Sequence, residues 1–177
     1  LSTVDGTYIH TTTDKNSRGD NERWLVIDHQ IWMSNDDQEL NDIRRAVIGK
    51  AKGCCFVGGL GLGLVVHECL KQPEVTHVTV VEINPKVIAL VQPEFDNNTR
   101  VDILLGDASK FFGDRQYDWM YWDIWPEIDH QARLTMLQCF NNGLSHLKDD
   151  GCLEAWCKPI LMNGVKFESG TVKRFYV

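Results

Sequence analysis

The chain has 177 residues, of which 43% are hydrophobic and 24% charged. That is ordinary globular composition, which excludes a disordered chain, a collagen and a coiled coil. Eighteen Lys and Arg against 25 Asp and Glu leave a formal net charge of −7, the wrong sign for a phosphate-backbone footprint, so nucleic acid is not an expected partner. No apolar run nears the roughly 20 residues that cross a bilayer, so no membrane partner is expected either. No basic-then-apolar leader opens the sequence given, which starts at Leu1. The six cysteines lack CxxC or zinc spacing. Buried free thiols, no metal site and a cytoplasmic location are the resulting expectations.

Residues 1–20 are polar and rich in Thr, Asp and Asn, and their pattern predicts no element. Arg23 to Ile27 and Gln30 to Met33 read as two short strands around Asp28-His29, an N-terminal β-hairpin appendage over 1–35. Ser34 to Asp37 offers N-caps, and Leu40, Ile43 and Val47 follow at helical spacing. From residue 53 strands and helices alternate. Cys54 to Val57 is an apolar strand ending in Gly58-Gly59-Leu60-Gly61-Leu62-Gly63, with a helix predicted from about Gly61 to Leu70. Val78 to Val81 ends at Glu82, and Pro85 stands where a helix tolerates it. Val101 to Leu105 ends in Gly106-Asp107, before a helix expected to contain Phe111 and Phe112. Tyr117 to Trp122 ends in Asp123. A long helix is predicted through Leu134, Leu137, Phe140, Leu144 and Leu147, then a strand from Cys152 to Cys157. Val165 to Glu168 and Thr171 to Val177 read as a closing hairpin turned at Ser169-Gly170. Such alternation makes parallel βαβ units, so residues 36–177 should form a doubly wound α/β, Rossmann-like sheet with helices on both faces.

Ligands bind beyond the carboxyl ends of such strands, where this chain places a polar device each time. The glycines allow a tight turn and close approach of a ligand to the main chain. Glu82, 24 residues after Gly58, can accept both hydroxyls of a ribose. These two features indicate a nucleoside-containing cofactor and leave NAD, FAD and S-adenosylmethionine open. Asp107 can accept from an adenine amino group, cap the following turn, or do both. Strand alternation puts Tyr117, Trp119, Tyr121 and Asp123 on one face. It leaves Trp119 and Tyr121 as packing, Trp122 and Trp125 as pocket walls, and Asp123 as general base or substrate anchor.

The stretch VGGLGLGLVVHECLKQPEVTHVTVVEINPKVIALV, followed by VDILLGDASKFF and YDWMYWDIWP, resembles class I S-adenosylmethionine-dependent methyltransferases, and within them most resembles the spermidine synthase branch. The resemblance covers about residues 23–158, including VIDHQIWMSNDD, which is similar to the hairpin preceding that branch's nucleotide domain. It implies a seven-stranded, mostly parallel sheet whose last strand is antiparallel. It implies that Gly58, Gly59, Leu60, Gly61 and Gly63 hold the methionine portion of the cofactor, Glu82 and Ile83 its ribose side, and Asp107 and Ala108 the adenine. Asp123 would face the reacting centre, with Trp32, Asp37 and Trp125 around the acceptor. A homodimer is expected on the same analogy.

Three positions depart from the branch. Its glycine loop carries an acid that disfavours the cofactor's carboxylate, where this chain has Leu60 and Leu62. Its hairpin Gln is Trp32 here, and its helix Tyr is Leu40. On these departures the expectation is methyl transfer from S-adenosylmethionine to a small-molecule acceptor, such as an amine. Aminopropyl transfer from decarboxylated S-adenosylmethionine to a polyamine is the alternative, and a non-catalytic cofactor-binding module is a third reading. Further acids at Asp36, Asp37, Glu127 and Asp129 would add negative potential near the pocket.

Overall fold

The apolar runs from residue 53 onward become strands buried on both faces. In the computed structural model, which describes residues 2–4, 6–169 and 173–176, β5 (Gly53–Gly58), β6 (Val75–Glu82), β7 (Val101–Leu105), β8 (Tyr117–Trp122) and β9 (Leu147–Ala155) form one sheet. Its order is β7-β6-β5-β8-β9, and every pairing is parallel. Alternation sends Cys55, Val57, Val78, Val80, Trp119 and Tyr121 to one side. There they meet α1 (Asp37–Val47), α2 (Leu64–Leu70) and α3 (Pro85–Val91). Phe56, Met120 and Trp122 point to the other side, against α4 (His130–Gly143). Helices therefore cover both faces, as a parallel sheet requires.

The helices start where local chemistry allows. The Asp36 carboxylate accepts the Glu39 amide at 2.9 Å, and Leu40, Ile43, Ala46 and Val47 turn inward. Asn84 caps α3 ahead of Pro85, and Asp129 caps α4 by accepting the Ala132 amide at 2.7 Å.

Several expectations change. Five strands, not seven, make up the main sheet among the described residues. The tail strands β10 (Lys166–Ser169) and β11 (Lys173–Tyr176) pair with each other in a separate two-stranded sheet. Asn141 of α4 explains this placement: its side chain donates to the Phe175 carbonyl at 3.0 Å and accepts the Phe175 amide at 2.6 Å. One residue on the free edge of β11 is thus paired by a helix side chain. The Gly170 part of the expected tail turn and its continuation through Thr171 lie outside the described residues.

The N-terminal segment forms a four-stranded antiparallel sheet rather than a two-stranded hairpin. Its strands are β1 (Ser2–Val4), β2 (Thr7–Lys15), β3 (Asn21–Ile27) and β4 (Gln30–Ser34). The polar, Thr-rich stretch that predicted nothing pairs along β3, Thr7 opposite Ile27 and Thr11 opposite Arg23. Asn16 and Asn35 fasten the far end. Asn16 donates to the Asn35 carbonyl at 3.2 Å, and Asn35 accepts the Arg23 amide at 2.6 Å.

Other boundaries move as well. Helix α2 begins at Leu64 because Gly61 and Gly63 hold positive φ angles of 51° and 74°. Helix α4 stops at Gly143, a short 3-10 turn covers Leu144–His146, and Leu147 already begins β9. Leu134 is exposed, while Met136, Cys139 and Phe140 supply the buried face. After Asp107 there is a turn in place of the expected helix. The register slips between Tyr117 and Trp119. Tyr117 therefore packs with Phe56 and Phe112 and donates its hydroxyl to the Phe112 carbonyl, opposite the stacked Trp119 and Tyr121.

Candidate active site

The carboxyl ends of β5, β6, β7 and β8 open on one cavity of about 340 Å³, a size suited to a small ligand. Gly59 and Gly61 enter it from the β5 loop, and Glu82, Ile83 and Asn84 from the end of β6. Asp107, Ala108 and Ser109 come from the end of β7, and Asp123, Ile124 and Trp125 from the end of β8. Thr135 of α4 closes one side. The N-terminal sheet supplies the remaining wall through Leu25, Ile27, Trp32 and Met33.

Glu82 is buried and braces two segments. Its Oε2 accepts the Leu60 amide and its Oε1 the Asn84 amide, each at 2.8 Å. A carboxylate offers about four lone-pair sites, so acceptor capacity remains for a diol. The loop it holds is nearly saturated: the Gly59 amide donates to Val81, that of Gly63 to Leu60, and that of Leu62 to the Met33 sulfur. The chain must be glycine at 59, where φ is +93° and a Cβ would collide with the Asp123 carbonyl oxygen.

Asp123 is half-buried at the mouth of the sheet. Burial, reinforced by the nearby Glu82 charge, pushes its carboxyl up to about 7. Glu39, on the first turn of α1, is raised to about 8 by burial and then by the negative charges of Asp123, Asp36 and Asp42. One of its carboxyl oxygens is buried without a hydrogen-bond partner. Asp107 behaves in the opposite way. Hydrogen bonds from the Ser109 hydroxyl (2.6 Å) and amide (2.9 Å), with Lys110 at 2.9 Å, hold it near 2. It thus fastens its own turn while facing the cavity. No Lys or Arg lines the cavity among the described residues, whereas Glu82, Asp107 and Asp123 all do.

Of the residues singled out in the sequence, Gly59, Gly61, Glu82, Ile83, Asp107, Ala108, Asp123, Trp32 and Trp125 meet at this cavity. Gly58, Leu60 and Gly63 do not line it. A Cβ on Gly58 would press on Trp122, Leu60 is buried beneath the loop, and Gly63 packs beside Phe95. Trp122 is fully buried, donating its indole N–H to the Ala108 carbonyl at 2.9 Å, so it supports the turn and does not wall the pocket. Asp37 points elsewhere: it accepts the Ser17 amide at 3.1 Å and hydroxyl at 2.6 Å. Glu127 is exposed, and Asp129 serves as the α4 cap.

Met33, Asn84, Thr135 and Glu39 escaped the sequence reading. Glu39 stands three residues after the capping Asp36, the spacing of a capping box, so its local pattern indicates only a helix start. The others carry no motif; the fold brings them to the cavity.

Known proteins resemble this chain in sequence and fold. The family model described as spermine/spermidine synthase domain matches residues 39–171. A polyamine aminopropyltransferase from Agathobacter rectalis is 25% identical over 144 residues, 74% of this chain and 50% of that protein. The spermidine synthase crystal structure from Thermotoga maritima aligns with a TM-score of 0.59 at 17% identity, covering 87% of this chain and 55% of that one. A spermidine synthase in complex with the transition-state analogue AdoDATO gives a TM-score of 0.61 at 17% identity, over 87% and 56%. The chain spans about half the length of these relatives, and at these identities the structural likeness shows the fold alone.

Proposed function

This chain belongs to the spermine/spermidine synthase family, and on that premise we propose that it transfers an aminopropyl group from decarboxylated S-adenosylmethionine to an amine acceptor. The observation that carries the reading is the charge of the cavity: three carboxylates and no basic residue among the described lining. Such a wall favours a sulfonium and an ammonium together and disfavours a ligand that keeps a carboxylate. The acid absent at Leu60 and Leu62 is compensated by acids from β6, β7 and β8. Methyl transfer, the first expectation from the sequence, becomes the second reading, supported only by that acid-free loop.

The residues present fit an adenosyl sulfonium. Glu82 retains acceptor capacity for ribose hydroxyls, and Ile83, Val87, Ala108 and Ile124 offer apolar surface to a planar base. The sulfonium substrate supplies an activated carbon and a neutral leaving group. The protein's task is to position the acceptor and remove its proton. An amine arrives as ammonium and attacks only after losing a proton. Ionised Asp123 takes that proton, the nitrogen bonds to the carbon beside sulfur, and the C–S pair returns to sulfur as a thioether.

The deciding experiment incubates the protein with decarboxylated or ordinary S-adenosylmethionine, with and without putrescine or spermidine, and identifies the sulfur product by mass spectrometry. Methylthioadenosine that forms only with an amine supports aminopropyl transfer. S-adenosylhomocysteine would establish methyl transfer, and binding without either product would leave a non-catalytic module.

A further inference from the structure

Among the contacts between the N-terminal sheet and the glycine loop is a thioether. Met33 of β4 lines the cavity, and its sulfur accepts the Leu62 amide at 3.3 Å. The loop backbone lies directly on that sulfur: a Cβ on Gly61 would sit 2.6 Å from it. The Leu60 amide is held by Glu82 and the Leu62 amide by Met33, so the two side chains grip the loop at alternate residues. We propose that Met33 is an oxidation site whose sulfoxide releases the glycine loop and so lowers affinity for the ligand of this cavity.

Selectivity follows from burial. Of the four methionines, Met120 and Met136 are fully buried, whereas Met33 and Met162 are half-buried. A peroxide can therefore reach Met33 from the cavity. One peroxide oxygen bonds to the thioether sulfur, the O–O bond breaks, and water leaves. Sulfur is oxidised by two electrons and the peroxide reduced by two. The added oxygen turns an apolar thioether into a bulky polar group. The same sulfur accepts the Leu62 amide and lies against Gly61, so an oxygen on it alters both contacts at once and shifts the loop. Cys54 and Cys152 are half-buried like Met33, so their oxidation has to be reversed before Met33 is read. Cys55, Cys69 and Cys139 are buried, and burial pushes the Cys157 thiol up to about 11.

The ligand part of this inference rests on the adenosyl reading of the cavity, so the test has two readouts. Protein is treated with hydrogen peroxide and then with dithiothreitol, which reverses thiol oxidation and leaves sulfoxides in place. Peptide mapping should find one added oxygen on Met33 and Met162 and none on Met120 or Met136. Amide exchange at Leu60 to Gly63 should accelerate, and affinity for methylthioadenosine by calorimetry should fall about tenfold. Methionine sulfoxide reductase should restore both. Met162→Leu should respond to peroxide as the wild type does. Met33→Leu should start from a weaker affinity that peroxide does not change. Oxidised Met33 with unchanged exchange at the loop would overturn the proposal, as would an unoxidised Met33. If untreated protein binds no adenosyl ligand, the cavity reading fails, and the exchange data still judge Met33.

Discussion

Glu82 Oε2 and the Leu60 amide lie 2.8 Å apart, so the carboxylate that ends β6 also sets the shape of the glycine loop after β5. The residue read from the sequence as a ribose acceptor is at the same time a structural brace. Its other oxygen holds Asn84 at the start of α3.

Glu82→Gln keeps the shape but presents an amide nitrogen to one of two backbone N–H groups. One buried donor is then left unpaired, at a cost of about 1–3 kcal/mol. We expect a lower melting temperature and weaker ligand binding. Because the Glu82 charge helps raise Asp123, the pH profile of turnover should also shift toward acid. A profile that stays in place would separate the two carboxylates electrically.

Asp123→Asn removes the proposed proton acceptor without changing volume. Loss of a positioned general base costs on the order of 10²–10⁴ in turnover. Calorimetry should show ligand affinity within a few-fold of wild type. An unaltered rate would remove Asp123 from the chemistry.

The same residue makes a stability prediction. Its carboxyl is raised from 3.8 to about 7 on folding, so the folded state binds the proton more tightly than the unfolded chain. Stability from this group is therefore fully present below pH 3.8, falls as pH rises toward 7, and stays low above it. Above pH 7 Asp123→Asn should melt higher than wild type, by about 2–4 °C for each kcal/mol relieved. The gap should close as pH approaches 4. The turnover proposed for the wild-type chain should instead rise through pH 7 as Asp123 ionises.

Gly59→Ala tests the close approach of the loop to β8. The new Cβ would meet the Asp123 carbonyl at a positive φ. We expect a loss of about 1–3 kcal/mol in stability, with turnover falling further than stability because Asp123 itself is displaced.

Asp37→Ala should spare the ligand. Among the described residues Asp37 ties only to Ser17, near the surface, so its removal should cost about 1–2 kcal/mol. Weakened ligand binding would return Asp37 to the acceptor site that the sequence suggested.

Much of this was legible in the chain. The apolar runs Cys54 to Val57 and Val78 to Val81, each followed by a turn and a helix, specify parallel strands, because a strand covered on both faces must be apolar throughout. The polar groups at Gly59, Glu82, Asp107 and Asp123 could be placed at one rim, because all strands of a parallel sheet end on the same side. What lay beyond reading was decided by contacts between distant segments. The Thr-rich β2 has no apolar alternation, and it forms because β3 offers an edge to pair with. Asp37 looked equivalent to Asp36 until Ser17 claimed it. Glu39 carries no signal beyond a helix start, yet the fold half-buries it near Asp123, and Met33 is silent as sequence yet holds the amide of Leu62. Local pattern reports which backbone a segment adopts. Which carboxylates share a low-dielectric corner, and so which of them keep their protons, is settled only when the sheets and helices pack.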